Sequence, residues 1–445
     1  MDSKATGAAA LKRLRRRRGL SLADMARALT GYAEDLRLPR LPAVASVQRS
    51  VARWESESAA TVPDERYQLL LAHLYARTPS GDLAIATGSD FAEFLDALGQ
   101  LGESAGRIAE LRTTLIRTAT DGGGGMLALM SPGAQANLSA ALADPSRADD
   151  TTAADLSAVV ADVNSQVGSL PFVRLQLMLA PAVEMCRRLL AGPVPEPVVP
   201  AVLNAAVAAS ALAGRLAFET RDDPASKALY STAISEAARL GRPWRQASVI
   251  MSHALVTLYS TPGTAGARVL VDQAVRTARK GDSPLIRARA HALQAEIAAR
   301  AGEERQSQDA LGLAWYDMEA DHTDDPASTS FSAGHLRGFE GVCDLYVGDP
   351  SAAHDHFARS AAALTAPREQ VQRAIVTTDQ ALARIRMNDP HAAAELLHDC
   401  ITAATSTGGR VPAIRLRRAR QAMRPWRRED FVADLDDHLM DIVGT

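Results

Sequence analysis

Strand-building residues are scarce in this chain. Aromatic residues make up only 4% of it, and runs of Val, Ile, Tyr and Phe are few. Those residues fit a pleated surface best, so a sheet protein is disfavoured. Alanine, the best helix former, is over-used instead, and the composition reads as all-α. There are 3 cysteines, Cys186, Cys343 and Cys400, far apart and without a CxxC pair. This excludes a disulfide framework and a zinc knuckle, and suits a reducing cytosol. No run reaches about 18 uninterrupted apolar residues, so no membrane span is expected. The N-terminus carries charge but no apolar stretch, unlike a signal peptide. The expected location is cytoplasmic.

With 445 residues, 47% of them hydrophobic and 23% charged, the chain suits two or three ordinary globular units. The formal net charge of -3 demands no anionic partner, but its distribution is uneven. Residues 1–60 hold 12 Lys and Arg against 6 Asp and Glu, whereas the remainder holds 37 against 46. A basic head on an acidic body points to a nucleic-acid-binding terminus. The same charge also suits a solvated helix face.

Punctuation divides the chain into residues 1–77, a linker and helical connecting region over 78–195, and a repetitive body over 196–445. Residues 78–88 read as a linker. Ser89 or Asp90 then caps a helix with apolar residues at Phe91, Phe94, Leu95, Leu98, Leu101, Ile108, Leu111 and Leu115. Gly99, Gly102 and Gly106 weaken its middle, so two helices are an alternative, and its apolar stripe suits either dimerisation or packing on the body. Gly122–Gly125 follows no strand and has no nearby lysine, which argues for a flexible break and against a phosphate loop. Residues 145–155 are polar and read as mobile; helices follow near 153–167 and 171–191. The run from Gly192 to Pro197 ends that layer.

From about residue 200 one plan recurs: a helix, a turn with Gly, Asp or Pro, a second helix, and another turn. First helices are predicted near 201–219, 244–260, 284–301, 331–347 and 369–387. Asp349-Pro350 and Asp389-Pro390 lie 40 residues apart, as do Ala-Ala-Arg-Leu-Gly (237–241) and Thr-Ala-Arg-Lys-Gly (277–281). Paired helices at such a period make an α-solenoid, here a stretched relative of the tetratricopeptide repeat of about 34 residues, with a concave groove. Residues 410–443 should cap the stack.

The basic head is the segment with chemistry. Leu11 to Arg18 reads as a helix closed by Gly19. Ser21 and Asp24 form a capping box for a second helix, Leu22 to Leu29. A long insert, Thr30 to Ala45, follows. Ser46 is placed to cap a third helix in which Val47, Val51 and Trp54 share one face and Gln48, Arg49 and Arg53 another. A fourth helix, Pro63 to Ala76, should bury Tyr67, Leu70, Leu71, Leu74 and Tyr75. An amide side chain bonds adenine bidentately and an arginine bonds guanine O6 and N7. Arg15 to Arg18 suit phosphates.

The stretch Gly19-Leu20-Ser21, Met25-Ala26, Ser50-Val51-Ala52-Arg53-Trp54-Glu55 and Pro63 resembles the phage-repressor-like (XRE) helix-turn-helix domain. Residues 203–260 resemble the repeat body of actinobacterial regulators that join this head to tetratricopeptide-like repeats. The resemblance implies that Gln48 and Arg49 read base edges, that Arg53 lies at the next exposed turn, and that Ser46 and Ser50 lie near phosphates; the charge of Arg16 and Arg17 suits further phosphate contacts. Double-stranded operator DNA, a homodimer and a peptide or small-molecule effector are the partners it implies.

For the groove, the polar residues of first helices are candidates: Asn204, Arg215, Gln246, His253, Arg287, His291, Gln294, His335, Arg337 and Glu340. Amides and arginines there suit an extended peptide or a carboxylate. His354-Asp355-His356 with His335 is poor metal geometry, because i and i+2 diverge on a helix. Gly281-Asp282-Ser283 echoes a hydrolase nucleophile but follows no strand. Asp324-Asp325 and Asp436-Asp437 read as solvated charge. The run Arg415, Arg417, Arg418, Arg420, Arg424, Arg427 and Arg428 suits DNA, the acidic body or a partner. No catalytic group, cofactor or metal is expected. The alternative to a regulator is a scaffold or adaptor whose repeats act through protein–protein contacts.

Overall fold

The computed structural model describes residues 3–36, 38, 41–78, 80–120, 132–366, 369–405 and 409–443. The Gly122–Gly125 break lies outside the described residues. Among those described, 21 α-helices carry the fold, and the extended pairings are isolated bridges at Arg77–Leu83 and Val167–Leu170. The protein is all-α. The chain divides into two compact units, residues 1–160 with 173–205, and residues 161–172 with 206–445.

In the first unit, α1 (Ser3–Arg17) is closed by Gly19, whose φ of 69° is a left-handed conformation that glycine adopts without strain. α2 (Leu22–Asp35) starts at the expected capping box: Ser21 Oγ accepts from Asp24 N, and the Asp24 carboxylate accepts from Ser21 N. It runs six residues beyond the expected end at Leu29, so the connection to α3 (Val44–Trp54) is shorter than the insert suggested. α4 (Glu65–Tyr75) is capped by Asp64 and buried all round, residues Arg66 to Tyr75 included. Ser89 caps α5 (Asp90–Leu101). Gly102, with a φ of 109°, ends it before α6 (Ala105–Thr120), so the two-helix alternative is the observed one.

Helix α5 packs on α1 and α4. Phe91, Phe94 and Leu98 enter the same core as Leu14, Leu29, Val51 and Tyr75. The expected boundary after residue 77 therefore does not separate two bodies, and the apolar stripe of α5 is covered within its own unit rather than left for a dimer. Rings lock this core: Trp54 lies 4.9 Å from Tyr67, and Tyr75 5.5 Å from Phe94. The unit continues with α7 (Pro132–Ala143) and part of α8 (Asp150–Ser165). The 145–155 stretch is structured, with a 3-10 turn at Pro145–Arg147 and an Asp149–Thr152 hydrogen-bonded box opening α8. α9 (Phe172–Ala191) follows, and the proline-rich run ends it as expected.

His73 on α4 is 4% exposed, and burial, helped by Arg77, pushes its pKa down from 6.5 to about 4. Between those values the unfolded chain binds more protons than the folded one, so stability rises with pH. Stability is expected intact above pH 6.5 and reduced by up to about 3 kcal/mol as pH falls toward 4. Urea unfolding across pH 4–7 measures this, and His73→Leu should flatten that dependence.

The second unit is built from consecutive helices that pack in pairs. After α10 (Val199–Glu219) and α11 (Asp223–Leu240) come α12 (Pro243–Ser260) with α13 (Ala265–Ala278), then α14 (Pro284–Arg300) with α15 (Glu304–Met318). α16 (Ala333–Val347) pairs with α17 (Pro350–Ala363), and α18 (Gln370–Arg386) with α19 (Pro390–Thr405). The first helices also touch one another, α12 to α14, α14 to α16, and α16 to α18. The observed helices coincide closely with those expected from spacing. The reason is local: proline sits in the first turn of α11, α12, α14 and α17, and Asp222, Ser283 and Asp349 accept from first-turn amides.

α20 (Arg410–Ala422) packs on α18 and α19, and α21 (Asp430–Val443) on α19. By length and composition α10 is apolar enough to cross a membrane, although no uninterrupted apolar run marks it; 67% of that window is buried in the structure, as in a core helix. All three cysteines are buried and outside any disulfide, and burial pushes the Cys343 thiol up to about 12.

Candidate functional site

Two places gather the sequence-predicted residues. The first is α3, whose inward stripe Val47, Val51 and Trp54 is 0–5% exposed. That burial, against α2 above all, turns the other stripe outward. Arg49 and Arg53 are exposed, and Gln48, Ser46 and Ser50 are half-buried. Ser46 does not cap the helix. Ala43 holds that position without a side-chain bond, and Ser46 lies in the first turn, where its Oγ accepts from Arg49 Nη2 at 2.9 Å. Ser50 Oγ donates to Ser46 O at 3.3 Å.

The arginines of α1 are sorted by partners that lie far along the chain. Arg15 is 7% exposed and grips Glu55 with two bonds of 2.7 Å, while its Nη1 donates to Leu20 O at 2.7 Å. This fork ties α1 to the end of α3 and to the turn before α2. Arg18 donates to Asp90 and to the carbonyls of Tyr75 and Arg77. Arg13 and Arg17 pair with Glu93, and Arg17 also with Asp90. The expected phosphate-binding run is thus split: Arg15 is buried and Arg18 half-buried, Arg17 is exposed but paired with Asp90 and Glu93, and Arg16 is exposed and, among the described residues, has no ion pair.

The second place is in the second unit. A cavity of about 250 Å³ is lined chiefly by α10, α12, α14, α16, α18 and α20. Its apolar wall includes Phe218, Phe331, Phe339 and Phe357. Of the ten groove candidates, Arg215 and His335 reach it. His335 Nδ1 shares a hydrogen with Ser332 Oγ at 2.9 Å. Asn204 is half-buried in the first unit, since the division falls after Ala205. Gln246 is half-buried away from the cavity lining. His253 stacks on Tyr230 at 5.2 Å, and burial, with Lys227, lowers its pKa. Arg287 is engaged by Asp317 at 2.9 Å. His291 is 3% exposed and lies 3.3 Å from Gln294, which lines a separate cavity with Arg268 and Asp272. Arg337 lies 4.4 Å over the Trp315 ring and pairs with Glu340 at 2.8 Å.

Residues that sequence reading missed dominate the cavity. Arg289, Tyr259, Asp379 and Glu296 line it. One signal was available: Arg289, Glu296 and Arg300 fall at i, i+7 and i+11, a polar stripe on a helix otherwise buried among apolar neighbours. Arg300 pairs with Glu296 at 2.7 Å and lies over the rings of Tyr259 and Tyr346. From α20, Arg415 pairs with Asp379 and donates to Tyr259 Oη, and Arg418 donates to Tyr346 Oη. Arg410 lies 4.7 Å over Phe218 and pairs with Asp223. The basic C-terminal run is therefore split: Arg415 is 8% exposed and internal, Arg420 pairs with Asp436, and Arg417, Arg424, Arg427 and Arg428 are exposed.

The remaining constellations are held by contacts to neighbouring segments. Ser283 caps α14 and donates to Asp325, whose carboxylate also accepts from the amides of Leu285 and Ala327. Asp325 is 7% exposed, so the expectation that it is solvated loop charge is corrected: it is a buried staple joining α14 to the loop before α16. Asp436 is likewise held, by Arg420. His356 lies 3.1 Å from Glu340, and His354 2.9 Å from Arg384. Comparison of the chain with protein-family models, curated proteins and solved structures finds no match.

Proposed function

We propose that this chain is a cytoplasmic, homodimeric, sequence-specific DNA-binding transcriptional regulator that acts by binding rather than catalysis. In this reading α2 and α3 form a helix-turn-helix with α3 as the reading helix. The paired helices of the second unit form a tetratricopeptide-like solenoid that takes an effector. The observation that carries it is the split of α3: Val47, Val51 and Trp54 are buried while Arg49 and Arg53 stand out to solvent, with half-buried Gln48 at their flank. A buried stripe holds such a helix rigid, and an amide beside arginines matches the donor and acceptor pattern of a major groove. That the first helices line one cavity supports the effector half of the reading.

Selection of bound duplexes from random DNA by the intact chain tests the proposal. Enriched half-sites about 10 bp apart, or a multiple, are expected from a two-fold dimer. Affinity should fall steeply with salt, as phosphate contacts release counterions. Weak, salt-insensitive binding without enrichment would refute it and favour the adaptor reading.

A further inference from the structure

We propose that the cavity of the second unit binds a small organic anion, an apolar body bearing a carboxylate or phosphate, with Arg289 and Arg215 as its counter-charges. The inference rests on the reading of this unit as the effector-binding body and names the ligand class.

Charge around the cavity is unevenly matched. Three acids line it, and each is engaged. Glu219 Oε2 accepts from the amides of Arg410, at 2.7 Å, and Val411, at 3.3 Å. Glu296 pairs with Arg300, and Asp379 with Arg415. Two cations remain, Arg215 and Arg289, and among the described residues neither has a hydrogen bond, an ion pair or a ring beneath it. Arg215 is exposed, so the cavity meets solvent on the α10 side. Arg289 is different. Burial lowers its pKa, and the like charge of Arg215 lowers it further, yet part of its surface stays accessible because that surface faces the cavity. An enclosed guanidinium without a partner is costly to hold. Nearby Arg300, Arg410, Arg415 and Arg418 all have acids, hydroxyls or rings to meet.

What fits is fixed by the rest of the wall. Guanidinium presents a planar fork that matches the oxygens of carboxylate and phosphate. Phe218, Phe331, Phe339 and Phe357 supply an apolar bed for the body of the ligand. A volume of about 250 Å³ is at the small end of ligand sites, which suits a metabolite-sized molecule rather than a long peptide.

The test uses the intact chain without DNA, so it stands apart from any result on the reading helix. Decanoate, decyl phosphate and neutral decanol are titrated calorimetrically into wild-type protein and into Arg289→Met and Arg215→Gln. At least one of the two anions should bind about ten- to hundredfold tighter than decanol, the range of a charged hydrogen bond. Which anion binds better separates a carboxylate ligand from a phosphate one. Arg289→Met should remove the preference for anions. Because it takes away a cation with no partner, it should also raise the unliganded Tm by about 2–4 °C, where a structural arginine would lower it. Equal binding of decanol, no binding of either anion, or anion preference retained in Arg289→Met overturns the proposal.

Discussion

Changing Gln48 and Arg49 together to alanine is expected to abolish preference for a selected operator while leaving the protein folded. Each bidentate base contact is worth roughly 1–3 kcal/mol of discrimination, so the pair accounts for roughly a 30- to 20,000-fold loss in specific affinity. The helix should persist. Arg49 is exposed and its recorded side-chain bond is to Ser46, one turn back; alanine is the better helix former. The seat of α3 is made by Val47, Val51 and Trp54, which the change does not touch. Band shifts on the selected duplex and on scrambled DNA, with circular dichroism melts, read both halves of the expectation. Unchanged specific binding would remove α3 from its assigned role. Arg53→Ala, which reaches the next turn, should weaken binding less selectively and reduce the salt dependence by about one unit of slope.

The second large effect concerns the fork that holds α3 in place. Arg15→Ala or Glu55→Ala is expected to destabilise the first unit by about 3–5 kcal/mol, because each leaves an unpaired charge in a buried site. Arg15 and Glu55 are both 7% exposed, with two bonds of 2.7 Å between them. The double change Arg15→Met with Glu55→Leu should be less destabilising than either single change, since no charge is stranded and apolar volume replaces the pair. Denaturant unfolding of the wild type, Arg15→Met, Glu55→Leu and the double change makes the cycle. Additive losses would mean that the two side chains act independently and that the fork does not couple α1 to the end of α3.

Both expectations concern arginines from one basic segment, and they show where sequence reading stopped. The charge of residues 1–60 was countable, but its use was not. Arg13, Arg15, Arg17 and Arg18 look alike in sequence; Glu55, Asp90 and Glu93, 40 to 80 residues away, take them up. The run at 415–428 repeats the lesson: Arg415 is internal beside Asp379, whereas Arg417 is exposed. Asp325 is a buried staple, although Asp324-Asp325 reads as solvated charge. In each case the deciding partner lies on another helix, and spacing along one helix carries no record of it.

Helix identity was legible from the chain alone. Alanine content and apolar spacing set an all-α protein, and capping residues with first-turn prolines marked the ends, because those signals act within one or two turns. The inward stripe of α3 followed from the same periodicity. Only tertiary packing decided which charges are internal, that α5 joins the core of α1–α4, and that Arg289 faces a cavity while Arg287, two residues away, meets Asp317. The physical reason is range: helix formation and capping are settled by neighbours in sequence, whereas burial and the pairing of charge depend on groups brought together from distant parts of the chain.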